Sequence, residues 1–229
     1  MRGTMLLALA LTAMMPAVGN AQDTRPGIAV MPFQNGGSYG RDKEDFDALQ
    51  VGIPAMVMSE LAQNPAARVV DRSDINRILS EQNLATDGRV DASTAARVGR
   101  LIGARYMIMG TFIDHYGKMR IDARIVDVET SEILKVVQSG PKEREKLFDM
   151  ISELSTAIMT NTKLPPLPVQ QAQAEPRRIP TEALTYYSRA LLYEDRGDNA
   201  KAVDYYNRAL TVFPSYSEAS EGLRRVRPS

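Results

Sequence analysis

The sequence predicts an α/β domain followed by a small, purely helical unit. Between residues 27 and 160, short apolar runs typical of strands alternate with segments whose apolar residues recur every three to four positions, as on one face of a helix. After a proline-rich stretch, only the helical spacing continues, to about residue 226. This change from mixed patterns to one pattern predicts an α/β domain with an appended helical hairpin.

The first 21 residues have the three parts of a secretory signal peptide. Arg2 supplies a positive start, residues 5–15 form a short apolar middle, and small residues precede Ala21. We therefore expect cleavage between Ala21 and Gln22 and export to the periplasm. The alternative is a membrane anchor that stays uncleaved, although the run is shorter than the roughly 20 apolar residues that a spanning helix needs.

Composition excludes several classes of site and partner. The chain has no cysteine, so disulfides, cysteine-ligated metals, a cysteine nucleophile and an acylated N-terminal cysteine are all ruled out. We expect a protein that is not lipidated and that contacts a membrane only through partners; association with the outer membrane by that route is left open. The 28 basic and 28 acidic residues balance without a block of like charge, which argues against nucleic acid as a partner.

Local patterns place the elements of the α/β domain. Pro54 suits the first turn of a helix that runs to about residue 63, after a separate short helix at 44–49. Ser73 is the expected cap of the next helix, and Asp91 or Ser93 caps the one after it. A last helix is expected around residues 147–158. Apolar or alternating runs predict strands at residues 27–33, 68–71, 106–112, 119–128 and 132–138, with a hairpin turn at 116–118.

A proline-rich segment separates the two predicted units. It contains five prolines between residues 163 and 180, with Gln and Ala between them, and such a composition favours an extended linker. The predicted organisation is therefore a signal peptide at 1–21, the α/β domain at 22–163, the linker at 164–180 and the helical unit at 181–229.

The helical unit resembles one tetratricopeptide repeat with a closing helix at 217–226. The large, small, aromatic, turn and proline positions of that repeat match Tyr186, Ala190, Tyr193, Gly197, Ala202, Tyr206, Ala209 and Pro214. In this family the first helix usually lines a groove for a ligand peptide, which implies exposure of Leu184, Tyr187, Leu191 and Glu194. The alternative is that these residues only pack against the main domain, because one repeat is shorter than the minimum that usually folds alone.

The α/β domain resembles the CsgG family of curli production assembly and transport components over residues 27–160. The motifs that carry the resemblance are the segments 28–33, 68–73, 78–84, 96–106, 110–112 and 123–130. It implies a compact α/β fold with a mixed sheet, also found in the TolB N-terminal domain and in lipoprotein activators of cell-wall synthases. Secretion-channel members carry an acylated cysteine and two long membrane hairpins. Here the corresponding turns, 115–117 and 139–144, are too short for membrane strands, so we expect the scaffold of the family without its barrel.

The sequence contains no recognisable catalytic constellation. His115 is the single histidine and has no convergent partner beyond neighbouring Asp114. The glycine-rich segment 36–40 lacks the Lys-Ser/Thr of a phosphate-binding loop. We expect Asp71 and Arg72 to form a structural ion pair. No metal site and no cofactor are predicted.

These observations predict a protein that is not an enzyme. We expect it to act in envelope assembly or secretion through protein–protein contacts, with envelope or secretion proteins as partners. A homo-oligomer is left open. The alternative is a regulator that binds and activates a cell-wall or envelope enzyme.

Overall fold

The structure is a computed structural model that describes residues 23–38, 40–82, 90–165 and 177–227. The predicted signal-peptide cleavage site at Ala21 and Gln22 lies outside the described residues, as does most of the predicted linker.

A mixed β-sheet forms the centre of the fold. Strand β1 is parallel to both β3 and β4, and β4, β5 and β6 follow one another antiparallel in the order β3-β1-β4-β5-β6, with β2 pairing beside β4. The predicted fold class is confirmed. The strands are β1 Gly27–Val30, β2 Gln34–Asn35, β3 Arg68–Val69, β4 Tyr106–His115, β5 Lys118–Asp127 and β6 Ile133–Glu143.

The β4–β5 hairpin lies where the sequence predicts it. Tyr116 and Gly117 connect the strands with φ angles of 53° and 84°, and two consecutive positive φ angles are typical of the tight turns that match strand twist. Both strands continue to this turn, and His115 pairs with Lys118. Strand β4 is therefore three residues longer than the apolar run alone predicts.

The helices pack on both sides of this sheet or follow it in the chain. They are α1 Lys43–Ala62, α2 Arg72–Glu81, α3 Ala92–Leu101, α4 Leu147–Asn161, α5 Thr181–Asp195, α6 Asn199–Val212 and α7 Ser217–Val226.

Helix α1 corrects the prediction of two separate helices. It runs without a break through Pro54. A proline inside a helix leaves the carbonyl four residues earlier without its usual N–H donor. Here that carbonyl belongs to Gln50, and it accepts the backbone N–H of Phe33 at 2.9 Å. The loop after β1 thus satisfies the group that Pro54 leaves open, and the helix continues.

Aspartates cap the next two helices. Asp71, rather than the expected Ser73, is the N-cap of α2 and accepts the Ser73 N–H at 2.7 Å. Of the two predicted caps of α3, Asp91 and Ser93, Asp91 is the N-cap and accepts the Thr94 N–H at 2.7 Å. These carboxylates satisfy backbone donors that a helix start would otherwise leave unpaired.

The two faces of the sheet differ in how far helices cover them. On one face, α1 packs against β1, β2 and β3, and α4 packs against β5 and β6. The side chains of β4 and β5 on this face, Ile108, Phe112, Ile121 and Ile125, are buried. On the other, α3 covers only the Met107 end of β4, where Gly99 lets it approach. None of the described elements covers the rest of this second face. The polar side chains of β5 lie on it, as the alternation of apolar and polar residues in 119–128 predicts.

Candidate protein-interaction surfaces

The helices α5, α6 and α7 form a tightly packed hairpin with a closing helix. Gly197 adopts a φ of 75° at the turn, and its N–H donates to Glu194 O at 2.9 Å. Ala190, Ala202 and Ala209 have no exposed surface, which lets α5 and α6 approach closely. The small residues and the turn thus occupy the positions that the repeat resemblance assigns to them.

The face of α5 expected to receive a ligand peptide is buried in this structure. Leu184, Tyr187 and Leu191 are only 0%, 6% and 1% exposed. The Tyr187 ring lies 6.1 Å from that of Tyr206 and 5.1 Å from that of Tyr216. The expected exposure of these three residues is therefore not observed in this structure.

Glu194, the fourth residue of the expected groove, is engaged by its neighbours. Its carboxylate accepts hydrogen bonds from Arg225 at 2.6 Å and from the Tyr206 hydroxyl at 2.5 Å. Burial would raise the pKa of Glu194, but these two donors outweigh it and the pKa lies below its ordinary value. The charge of Glu194 therefore ties α5 to α6 and α7.

Helix α1 is the element that covers α5. The two helices approach closely at Gly52, where a β-carbon would overlap the Ser188 side chain. The Ser188 hydroxyl turns back to donate to Leu184 O at 2.7 Å, so this buried polar group is satisfied without α1. Nearby, the buried Tyr216 hydroxyl contacts the Met56 sulfur of α1 at 3.1 Å. The repeat is thus docked on a helix of its own chain.

Ion pairs and a hydrogen bond border this contact along the C-terminal half of α5. Near the start of α1, Arg189 donates to Asp45 at 2.5 Å and the Tyr193 hydroxyl donates to Glu44 at 2.8 Å. At the C-terminal end of α5, Arg72 donates to Asp195 at 2.5 Å. Burial nevertheless raises the pKa of Asp195, although Arg72 acts in the opposite direction.

The contact of Arg72 corrects the predicted pair with Asp71. Asp71 is occupied by the amide and hydroxyl of Ser73 as the cap of α2. Those hydrogen bonds lower the pKa of Asp71. Arg72 does not pair with Asp71 and instead donates to Asp195 at the end of α5. Arg72 therefore links the start of α2 to the helical repeat.

A partly buried carboxylate borders the contact on the side of α7. Glu218 accepts two hydrogen bonds from Arg177, at 2.8 and 2.7 Å, and a short one from the Ser59 hydroxyl of α1. Burial alone would raise the pKa of Glu218, but Arg177 and Ser59 outweigh it and lower the pKa to about 2. Glu60 also faces Arg177, at 3.5 Å, and burial raises the pKa of Glu60.

Arg144 joins three elements in a way that the sequence did not indicate. Its guanidinium donates to Asp114 at the end of β4 and to Asp42 before α1, each at 2.7 Å. Its carbonyl accepts the Thr181 hydroxyl at the start of α5, at 3.1 Å. The pKa of Asp114 lies below its ordinary value because Arg144 and the Gly117 N–H outweigh the effect of burial. Asp114, expected beside His115, thus belongs to a structural ion pair.

The open part of the second sheet face forms a groove with a cavity volume of about 380 Å³. Met109 and Val136 contribute apolar surface to it, and Thr111 lies on the neighbouring part of β4. Arg120 pairs at 2.9 Å with Asp122, two residues further along β5, whereas Arg124 makes no ion pair among the described residues. A surface with apolar contacts, a positive charge and side-chain amides fits a polypeptide partner. Its complete polar and apolar lining is Met31, Pro32, Phe33, Gln34, Gln50, Leu79, Val90, Met109, Gly110, Thr111, Arg120, Asp122, Arg124, Val136 and Gln138.

The described residues offer no grouping for metal chemistry. Across the ranges 23–38, 40–82, 90–165 and 177–227, no three His, Asp or Glu side chains are placed to hold an ion together. His115 packs edge-on against Tyr116 at 4.7 Å between ring centres, at the tip of the hairpin. None of the helices in this part of the chain is long and apolar enough to span a bilayer.

Two family models match separate segments of the chain, one after the other. Residues 15–118 match the family described as curli production assembly/transport component CsgG, and residues 183–216 match the tetratricopeptide repeat. The resemblances stated from the sequence are confirmed. A search of curated proteins finds no match to this sequence.

Several solved structures resemble parts of the chain at low identity. TolB from Acinetobacter baumannii is 15% identical with a TM-score of 0.42, over 62% of this chain and 29% of TolB. The LpoB C-terminal domain from Salmonella enterica is 18% identical with a TM-score of 0.37, over 52% of this chain and 83% of that domain. Lipoprotein GNA1162 from Neisseria meningitidis is 16% identical with a TM-score of 0.42, over 60% of this chain and 98% of the lipoprotein.

Proposed function

We propose that this chain, which carries a CsgG-family region followed by one tetratricopeptide repeat, is a non-enzymatic periplasmic protein of envelope assembly or secretion that acts through protein–protein contacts. The observation that carries the proposal is the CsgG match over residues 15–118, because that family is described by its part in assembly and transport. The signal peptide predicted from residues 1–21 agrees with a place outside the cytoplasm.

The open sheet face is the partner site that we propose. Tetratricopeptide repeats commonly bind through the first helix, but here α1 covers that helix and the residues Leu184, Tyr187 and Leu191 are buried. None of the described elements covers the groove over β4 and β5 in the same conformation. Methionine and arginine are enriched at protein interfaces, and the groove contains Met109 and Arg124.

Site-specific crosslinking in intact cells tests this proposal. A photoreactive amino acid replaces Thr111 in the groove, and a matched variant carries it at Arg208, an exposed position on α6. We expect the Thr111 variant, and not the Arg208 variant, to capture a defined component of an assembly or secretion system, identified by mass spectrometry. Capture of a peptidoglycan synthase would instead support the regulator of a cell-wall enzyme. No capture specific to Thr111 would reject the open face as the partner site.

A further inference from the structure

Strand pairing arranges the side chains of the open groove in rows across the sheet. Met109 of β4 pairs with Arg124 of β5, and Arg124 pairs in turn with Val136 of β6. All three residues line the groove. Because neighbouring strands lie about 4.8 Å apart, Arg124 has an apolar side chain directly beside it on each strand. This row therefore presents one cation between two apolar contacts.

The next row along the strands is polar. Thr111 of β4 pairs with Gln34 of β2 on one side and with Asp122 of β5 on the other, and Asp122 pairs with Gln138 of β6. These four residues also line the groove. Rows on one face of a sheet are two residues apart along each strand, about 7 Å. A ligand over Arg124 therefore also meets hydrogen-bonding groups.

The charges of the groove leave one cation for a ligand. Its charged lining residues are Arg120, Asp122 and Arg124, so the lining has a net charge of one positive unit. Arg120 and Asp122 pair with each other at 2.9 Å, and Arg124 makes no ion pair among the described residues. A carboxylate placed at Arg124 would balance this charge. The apolar neighbours of Arg124 would exclude part of the water around such a pair and so strengthen it.

The uncharged lining favours a polypeptide over a nucleic acid. Bases bind by stacking on exposed aromatic side chains. Phe33 is the single aromatic residue of this lining, and it is only 1% exposed because its ring packs against Gly110. The lining instead offers the side-chain amides of Gln34, Gln50 and Gln138. Each amide has a donor and an acceptor, as a peptide group does.

We propose that the groove binds an extended acidic segment of a partner polypeptide, with an aspartate or glutamate side chain at Arg124. Apolar residues of the same segment contact Met109 and Val136, and the glutamine amides contact its backbone. Side chains two positions apart lie on the same side of an extended chain, about 7 Å from each other. The apolar residues are therefore expected two positions before or after the acidic one. This inference rests on the proposed function, since it assigns a ligand class to the partner site proposed above.

Selection from a peptide library tests the ligand class. The purified mature chain selects from randomised decapeptides that are acetylated and amidated, so that every carboxylate in them is a side chain. We expect enrichment of aspartate and glutamate with apolar residues two positions away. Arg124→Glu should select lysine and arginine instead, and should bind the peptides enriched by the wild type at least about tenfold more weakly. Arg208→Glu is the control: it makes the same charge change at an exposed position of α6 and should retain the wild-type selection.

A second variant separates the ligand class from the site itself. Thr111→Trp fills the groove with a large side chain and should abolish the enrichment, with circular dichroism verifying the fold of each variant. If Thr111→Trp abolishes it but Arg124→Glu leaves the enriched peptides unchanged, the acidic ligand is overturned and the groove stays the partner site. If neither variant changes them, the groove is rejected and the inference fails with it. A wild-type chain that enriches no acidic peptide, although Thr111 still captures a partner in cells, would overturn the acidic ligand alone.

Discussion

Substitution of Gly52 by alanine tests the contact between the repeat and α1. An ideal β-carbon at Gly52 overlaps the Oγ and Cβ atoms of Ser188 and lies 3.1 Å from its Cα. A rotation of the serine side chain cannot relieve these overlaps, because two of the three atoms are fixed by the backbone of α5. The whole helix must therefore move away from α1.

Two opposing effects decide the sign of the change. Alanine is about 1 kcal/mol better than glycine inside a helix. Overpacking at a close contact costs about 1–3 kcal/mol. A shift of α5 also lengthens its bordering hydrogen bonds, Arg189 to Asp45 and Arg72 to Asp195, both 2.5 Å. We therefore expect Gly52→Ala to lower the free energy of unfolding by about 1–2 kcal/mol, the overlap outweighing the helix propensity.

Two measurements follow this change. Urea unfolding monitored by far-UV circular dichroism gives the free energy, and hydrogen–deuterium exchange of peptides from Thr181–Asp195 reports the docking of α5. Ser188→Gly alone and the double variant Gly52→Ala/Ser188→Gly complete a mutant cycle. Because Ser188→Gly removes the two side-chain overlaps, the double variant should recover part of the loss and of the exchange protection.

The opposite sign would refute this reasoning. If α1 and α5 are not in contact at Gly52, alanine should stabilise the chain by about 1 kcal/mol, as in an exposed helix. Exchange in α5 would then be unchanged and the mutant cycle would show no coupling.

Three further predictions concern ion pairs and docking. Arg144→Ala removes the cation beside the Asp114 carboxylate, whose side chain is 4% exposed, and should lower the free energy of unfolding in urea by about 3 kcal/mol. Arg144→Lys keeps a positive charge there and should lose less stability. Equal losses for the two variants would contradict the ion-pair account. Glu218→Gln should cost about 2–3 kcal/mol at pH 7. The pKa of Glu218 is about 2 in the folded chain and 4.5 ordinarily, so the cost of the substitution should shrink as the pH falls from 4.5 towards 2. A cost that stays constant from pH 7 to pH 3 would reject the pairing with Arg177. After cleavage at a protease site engineered into residues 166–176, the two fragments should elute together in gel filtration, and separate elution would contradict the docked arrangement.

The sequence predicted those parts of the fold that depend on local patterns. The alternation at residues 119–128 identified which side chains of β5 are buried, since strand side chains point to alternate faces. The turn at 116–118 could be predicted from the sequence because a glycine such as Gly117 readily adopts a positive φ. The small residues of the repeat were visible at helical spacing. In each case a few neighbouring residues carry the whole signal.

Long-range contacts explain what the sequence did not predict. Pro54 indicates a helix start by every local rule, and only the Phe33 N–H, supplied from the loop after β1, allows α1 to continue. Arg72 was paired in the prediction with its neighbour Asp71, whereas its partner Asp195 is 123 residues away. The role of Arg144 likewise depends on elements that meet only in the folded chain. No local sequence pattern indicates contacts between residues so far apart in the chain.

The docked position of the repeat determines where a partner can bind. A single repeat lacks the neighbours that usually bury its apolar faces, and α1 supplies one of them here. A peptide that bound Leu184, Tyr187 and Leu191 would first have to separate α5 from α1, exposing this face and breaking the hydrogen bonds of Arg189 and Arg72. Its binding free energy would be reduced by the whole cost of that separation. None of the described elements covers the proposed site on the sheet face, so a partner that bound there would not bear this cost. The Gly52→Ala variant should shift the balance towards α5.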